Sequence, residues 1–390
     1  MTGRHVGVLV GLLIAIRVVM LLGMISALPH GSAYNRLDYD AARYHQIASA
    51  AGRPYRDVQV EVPPIELGAI EVIDGGTPRA TAIRLGWTML VLDLFVGAVL
   101  WVTWGWRATV SYLVLGLPLS FLIYFRLDLI SIALAALGIA LAHRGRERSG
   151  GLILAASILA KVWPLALLPL WLVQRRWRAL RWSAGGLVLG ATAWVSWGGW
   201  SGPAQVLTFR HAQGWHVQSV IGNVVDIFSG AQAVMDQGTL RVGSAPLWAR
   251  SLLLAGLVIC SSWIWLRCSR SPQTANGLGA LAAVAALLVF APLLSDQYLF
   301  WLFPWAAIAA ADGEWNVVLT TFLVGAATAA IGFIPDPFST GLGPALVLVR
   351  NVFLLVVLVD AVRRLRRKAV GEPEGMLTLD LPEPSLGVRP

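Results

Sequence analysis

The chain has 390 residues, of which 57% are hydrophobic and only 13% charged, with a formal net charge of +9. A soluble domain is roughly 45–50% apolar and about a quarter charged, so this composition excludes a single water-facing globule and calls for helices that are apolar on every side. The basic residues are nearly all Arg, with Lys161 and Lys368 the only lysines. They fall in short clusters between apolar runs, which is the positive-inside pattern of a membrane protein and not the continuous basic face of a nucleic-acid binder.

Val6–Leu28 is the first run long enough to span a bilayer, which takes about 20 apolar residues, and it reads as an uncleaved signal anchor because many spans follow. Further spans are predicted at Ala82–Val102, Thr109–Tyr124, Leu127–Ala142, Trp182–Trp200, Pro246–Leu266, Leu278–Leu294, Tyr298–Ala311, Val317–Ile334 and Pro344–Val362. The segment Gly151–Val173 is different. As an ordinary span it would put the clusters His143–Arg148 and Arg175–Arg178 on opposite faces, against the charge bias. At its middle stands Lys161-Val162-Trp163-Pro164, a charge beside a helix breaker. A re-entrant hairpin of two half-length helices resolves both difficulties, provided its tip is buried in protein.

The expected architecture is therefore all-α: a polytopic bundle of about ten spans plus a re-entrant helical hairpin. Residues 1–368 form the membrane domain, and 369–390 form a tail too poor in apolar residues to fold. Both termini are expected on the cytoplasmic side of a bacterial plasma membrane. The loops Pro29–Arg79 and Ser201–Ala245 then face outward, with short outer turns at Phe125-Arg126, Ser295–Gln297 and Pro335–Gly343. Cys260 and Cys268, the only cysteines, suggest neither a disulfide framework nor a thiolate metal site.

Charged residues at a membrane edge are costly and usually functional. Three groups stand out on the outer side. The first comprises Asp38, Asp40, Arg43, Tyr44 and His45, followed by Tyr55, Arg56, Asp57 and Glu61. A carboxylate here could act as general base toward a hydroxyl, or simply pair with Arg36, Arg43, Arg53 or Arg56 in a hydrated loop. The second is Arg126-Leu127-Asp128, either an ion pair capping a turn or a site for an anionic headgroup. The third joins Arg210, His211, Trp215, His216 and Gln218 with Asp296, Gln297, Tyr298 and Trp301, residues suited to stacking on a sugar and hydrogen bonding to it. Asp93, inside the second span, is expected to pack against a polar neighbour. Neither metal-ligand spacing nor a phosphate-cradling glycine loop nor a nucleophile elbow is present.

These segments resemble the polyprenol-phosphate-mannose-dependent mannosyltransferases of glycosyltransferase family 87. Asp40-Ala-Ala-Arg-Tyr44-His45, Gly52-Arg-Pro54-Tyr55-Arg56-Asp57 and Glu61-Val-Pro63-Pro64 are similar to that family's first outer loop, and Arg126-Leu-Asp128 to its R-F-D turn. Lys161-Val-Trp-Pro164 is similar to its hairpin, and Ser295-Asp-Gln297-Tyr298-Leu-Phe-Trp301 to its S-P-Q-Y-L-x-W stretch. Val62 stands in place of the family's Tyr, Gln213, His216 and Gln218 sit where a stretch like R-G-x-Q-x-E-S often runs, and Asp296 stands where Pro is usual. The resemblance implies a C-type glycosyltransferase fold and a metal-independent, cofactor-free inverting transfer. The donor it implies is a polyprenyl-phosphate-linked sugar, mannose by the family's pattern, and the acceptor an envelope glycolipid or glycan. Asp40 is the position matching the catalytic base. Arg43, Tyr44, Tyr55, Glu61, Arg126, Asp128, Arg210, His216, Gln218, Gln297 and Tyr298 are the expected substrate-binding residues. A transporter or lipid-linked-sugar flippase is the alternative, which paired broken helices in two repeats would favour; a single broken segment is visible.

Overall fold

A computed structural model describes residues 3–28, 39–207, 213–230, 232–236, 238–334, 338 and 341–370. Asp38, Arg36, Arg210, His211 and the tail beyond Val370 lie outside the described residues. The chain opens with α1 (Gly3–Ser26), then α2 (Tyr39–Ser49) and α3 (Pro64–Ile73), then α4 (Pro78–Trp104). It continues through α5 (Trp106–Gly116), α6 (Ser120–Ile123), α7 (Asp128–His143), α8 (Glu147–Ala160), α9 (Leu168–Val173) and α10 (Trp177–Gly198). The remaining helices are α11 (Ser201–Leu207), α12 (Val220–Ser229), α13 (Leu247–Arg270), α14 (Ala280–Val289), α15 (Phe303–Ala311), α16 (Trp315–Gly332) and α17 (Leu342–Val370). Three short strands, β1 (Trp215–His216), β2 (Val234–Asp236) and β3 (Thr239–Val242), form one small antiparallel sheet in the order β1-β3-β2.

Among the described residues, seven helical segments are long and apolar enough to cross a membrane. The other predicted spans are present too, in forms that composition explains. α7 has only 16 residues, α10 carries Arg178 and Arg181 in its first turns, and α15 is preceded by a tighter helical turn over Asp296–Leu302. The protein is thus a polytopic helical membrane bundle.

The hairpin is formed by α8 and the segment Trp163–Val173, with the chain extended at Lys161 between them. α8 runs antiparallel to α7: Ser157 Oγ donates to the Ser131 carbonyl at 2.7 Å, and at the other end a Cβ on Gly150 would stand 2.7 Å from the Gly138 carbonyl oxygen. α8 runs parallel to α10, Gly151 facing Ala179, Ala155 facing Gly186 and Leu159 facing Gly190. Small residues at these crossings let the backbones approach, the usual device between helices in lipid. The return arm ends where Arg176 donates to the Ala142 carbonyl and lies 3.8 Å from Glu147. Both ends of the hairpin therefore sit at one end of the bundle.

That end gathers the other basic clusters. Trp104 stacks on His143 at 5.4 Å, Asn276 bonds both His143 and Gln174, and Glu314 holds Arg364 and Lys368 at 2.5 and 2.7 Å. Within the bundle, Arg17 of α1 pairs with Asp93 of α4 at 2.8 Å. Tyr112 and Tyr124 donate to the same carboxylate at 2.7 and 2.8 Å. Each isolated charge would cost about 2.5–3.5 kcal/mol at mid-membrane; pairing offsets that. Asp93 is packed as expected, and its partner in the first span is the charge that sequence reading passed over.

Candidate functional site

At the end opposite the basic clusters lies a cavity of about 680 Å³. Its wall is assembled from the start of α2, the chain leading into α3, the turn before α7, the hairpin tip, the β1 and β3 strands and the segment before α15. Three cations, Arg43, Arg126 and Lys161, face four carboxylates, Asp40, Glu61, Glu66 and Asp128. They are paired locally: Asp40 with Arg126, Arg43 with Glu61, and Lys161 with Asp128 at 2.9 Å. Arg126 therefore does not cap its own turn through Asp128, the simpler of the two sequence readings. Burial pulls the Arg126 guanidinium below its ordinary range, with nearby Asp128 and Asp296 opposing the change, and its Nε has no hydrogen-bond partner.

Asp40 sits in the first turn of α2, where the helix dipole favours an anion. One turn on, Arg43 and Tyr44 also line the cavity, Tyr44 bonding the Leu127 backbone. His45 points elsewhere, to Asp74 at 2.7 Å, and joins α2 to the start of α4 through Thr81.

One wall is aromatic. Tyr298 stacks on Trp301 at 4.4 Å between centroids, and Trp301 on Trp163 at 5.1 Å. The indole of Trp301 donates to Asp128 Oδ1 at 2.8 Å and that of Trp163 to Ser131 Oγ at 2.9 Å. These bonds fix the hairpin tip against α7 and the chain before α15, and so hold Lys161 in place. The ammonium of Lys161 lies 5.3 Å from the Tyr298 ring centroid, within cation–π range.

The opposite wall carries His216 and Gln218. The His216 ring bonds the Leu294 backbone; burial first, then Arg241 and Arg350, push its pKa down to about 3. It is therefore a neutral imidazole, and its Nδ1 has no partner. Gln218 lines the cavity while accepting from Arg350 Nη1 at 2.9 Å, and the Gln218 carbonyl accepts from Nη2. Arg350, in the first third of α17, is fully buried and also pairs with Asp296 at 3.0 Å. It joins the loop after β1 to the segment carrying Gln297 and Tyr298, both of which line the cavity.

Asp40, Arg43, Tyr44, Glu61, Arg126, Asp128, His216, Gln218, Gln297 and Tyr298 are thus brought to one cavity. Tyr55 is not. Its hydroxyl donates to the Val62 carbonyl at 2.6 Å, and its ring packs against Gly198, Trp194 and Trp197. Its backbone has φ 66°, and its carbonyl accepts from Ser201 and Gln205 at 2.8 and 2.9 Å. Tyr55 braces the strand of chain that presents Glu61 and does not line the cavity. Arg210 lies outside the described residues. Two cavity-lining residues went unmarked, Glu66, a lone acid in the apolar start of α3, and Lys161, read only as a hairpin break, and so did Arg350, which holds Gln218 and Asp296 from behind the wall. For Lys161 a signal existed, since it is one of only two lysines. Among the described residues no group of three or more His, Cys, Asp or Glu is placed to hold a metal ion.

No family model matches the chain, and no curated protein matches it. Among solved structures the chain is similar to ArnT from Cupriavidus metallidurans, crystallised bound to undecaprenyl phosphate. The two are 15% identical with a TM-score of 0.46, over 93% of this chain and 77% of that one.

Proposed function

We propose that this protein is an integral membrane glycosyltransferase. It takes a sugar from a polyprenyl-phosphate donor and transfers it to a glycolipid or glycan acceptor on the extracytoplasmic side. Mannose is the sugar implied by the sequence resemblance. The observation that carries this reading is the cavity itself, where paired carboxylates and cations meet an aromatic wall at the end of the bundle remote from the basic clusters. By the positive-inside rule the basic end is cytoplasmic, so the cavity faces outward. Anionic lipid headgroups and sugars are the ligands that such a lining suits.

The chemistry follows from these groups. The acceptor hydroxyl gives its proton to the Asp40 carboxylate as its oxygen attacks the anomeric carbon. The bond from that carbon to the phosphate oxygen breaks, and polyprenyl phosphate leaves with the electron pair. Phosphate is already a good leaving group, so a positioned base and fixed positive charge supply most of what the reaction needs. Arg126 and Lys161 meet the charge that develops on the phosphate. Arg126 is paired with Asp40; a bound phosphate competes for that guanidinium and leaves the Asp40 carboxylate to accept a proton. Glu61, bonded to Arg43, keeps the second arginine aimed at the cavity.

The test is transfer by the purified protein in lipid nanodiscs, fed radiolabelled polyprenyl-phosphate mannose or arabinose with extracted envelope glycolipids as acceptor. Label from the mannose donor is expected in the acceptor. If label from neither donor enters the acceptor, yet the protein in sealed vesicles carries intact donor across the bilayer, the transferase reading falls and the flippase stands.

A further inference from the structure

Glu66 is 2% exposed, yet it lines the cavity, and its Oε1 has no hydrogen-bond partner. Lys161 forms an ion pair with that oxygen, its Nζ 3.7 Å away and so longer than a hydrogen bond. Lys161 is committed to Asp128 at 2.9 Å, and the same Asp128 oxygen takes the Trp301 indole at 2.8 Å. A carboxylate and an ammonium thus stand side by side beneath the Tyr298–Trp301 stack, one with an unused acceptor and the other with donors to spare. Buried polar atoms are nearly always satisfied, and an unfilled one at a cavity wall is accounted for when a ligand fills it.

The complement of such a pair is a pair of adjacent hydroxyls on an apolar ring face. One hydroxyl donates to the carboxylate and its neighbour accepts from the ammonium, while the C–H face of the ring lies on the aromatic stack. A phosphate would suit Lys161 but would be repelled by Glu66 and Asp128 together, so the phosphate belongs nearer Arg126 and Arg43. We infer that Glu66 is a specificity-determining residue: with Lys161 it clamps two neighbouring hydroxyls of the transferred sugar against Tyr298 and Trp301. This rests on the transferase reading above. Burial pushes the Glu66 carboxyl up to about 7, Lys161 opposing and Asp128 reinforcing the change, which accords with a group that a ligand is needed to satisfy.

The experiment measures binding, so that it stands apart from turnover. Full-length protein in nanodiscs is loaded with labelled polyprenyl-phosphate mannose, which is then displaced by the parent donor and by its 2-, 3-, 4- and 6-deoxy analogues. In the wild type, one or two adjacent deoxy positions are expected to weaken binding roughly 10–100-fold, the range for a lost hydrogen bond to a charged group. In Glu66→Leu the parent donor weakens by a similar factor, and the most affected analogue now binds within about threefold of the parent. Glu66→Gln, which keeps an acceptor oxygen, restores part of the discrimination. The inference is overturned if the wild type binds all analogues alike, a result that needs no variant to fold. It is also overturned if Glu66→Leu weakens every donor equally and keeps the wild-type ratios, since that is the behaviour of a purely structural residue. Discrimination in binding without any transfer would retain the clamp and end the transferase reading.

Discussion

Two of the buried charge clusters in this bundle are built differently. In the first, Asp93 accepts from Arg17, Tyr112 and Tyr124, and all four side chains are 1% exposed or less. Its leftover groups, Arg17 Nη1 and Nη2, face packed neighbours, including Gly116, where a Cβ would stand 2.5 Å from Nη2. In the second, Lys161 and Asp128 form the pair, Glu66 stands beside them unfilled, and a cavity adjoins. Both neutralise charge that lipid would penalise. Only the second leaves an unused polar atom on a residue that lines a cavity. What separates a structural ion pair from a binding site is therefore less its charge than whether its spare hydrogen-bonding capacity faces packed atoms or open space.

Four measurements test that contrast, beginning with the largest effect. In the cavity, Asp40→Asn keeps the size of the side chain but cannot accept a proton. Turnover should fall about 10²-fold or more, with donor binding retained and Asp38→Asn mild by comparison. Near-wild-type turnover in Asp40→Asn alongside a dead Glu61→Gln would move the base elsewhere. In the sealed cluster, Arg17→Met strands Asp93 and should cost roughly 3–5 kcal/mol of stability, the usual penalty for halving a buried pair. Turnover per folded molecule should stay within about twofold. A large drop in that specific activity would mean that the sealed cluster serves the site after all.

Arg126→Ala removes positive charge from the cavity while freeing Asp40. Apparent donor affinity should weaken roughly tenfold, with a smaller change in turnover at saturating donor, in keeping with one lost charged hydrogen bond. An effect confined to thermal stability would assign Arg126 to holding the turn. The smallest effect concerns pH. The Glu66 carboxyl is raised to about 7 from an ordinary value of 4.5, so between those values the native state holds a proton that the unfolded chain has released. The resulting stability is complete below about pH 4.5 and is lost as pH rises through 7. Glu66→Gln should remove this decline, so the thermal midpoint of the variant minus that of the wild type grows between pH 5 and 8. A flat difference would mean that Glu66 is ionised throughout.

The bundle was largely legible in the sequence because lipid imposes long apolar runs and because arginine clusters mark one face. The hairpin was legible for the same reason: an ordinary span at Gly151–Val173 would have split two basic clusters. Within the site, Asp40, Arg126 and Gln297 were accessible as polar residues at the outer ends of spans. Glu66 and Arg350 were hidden by the converse logic, since a single charge within an apolar helix gives no indication of which neighbour it faces. Tyr55 was misplaced because Pro54-Tyr55-Arg56-Asp57 looks like a binding loop, whereas the left-handed backbone at Tyr55 turns the ring toward α10. Asp296 and Gln218 read as two separate departures from the resembling stretches. In the fold they meet on Arg350, so an amide at one position and a carboxylate at the other share one guanidinium.

The hairpin has a consequence for how the chain is threaded during synthesis. Two arms of 14 and 11 residues, Glu147–Ala160 and Trp163–Val173, leave by the face they entered, so the element counts as zero crossings. Every later helix keeps its direction whether the hairpin inserts early, late or not at all. Parity protects the topology from errors at the polar break of the hairpin. It also means that a chain with a misplaced hairpin would present its loops on the correct sides while lacking Lys161 beside Asp128.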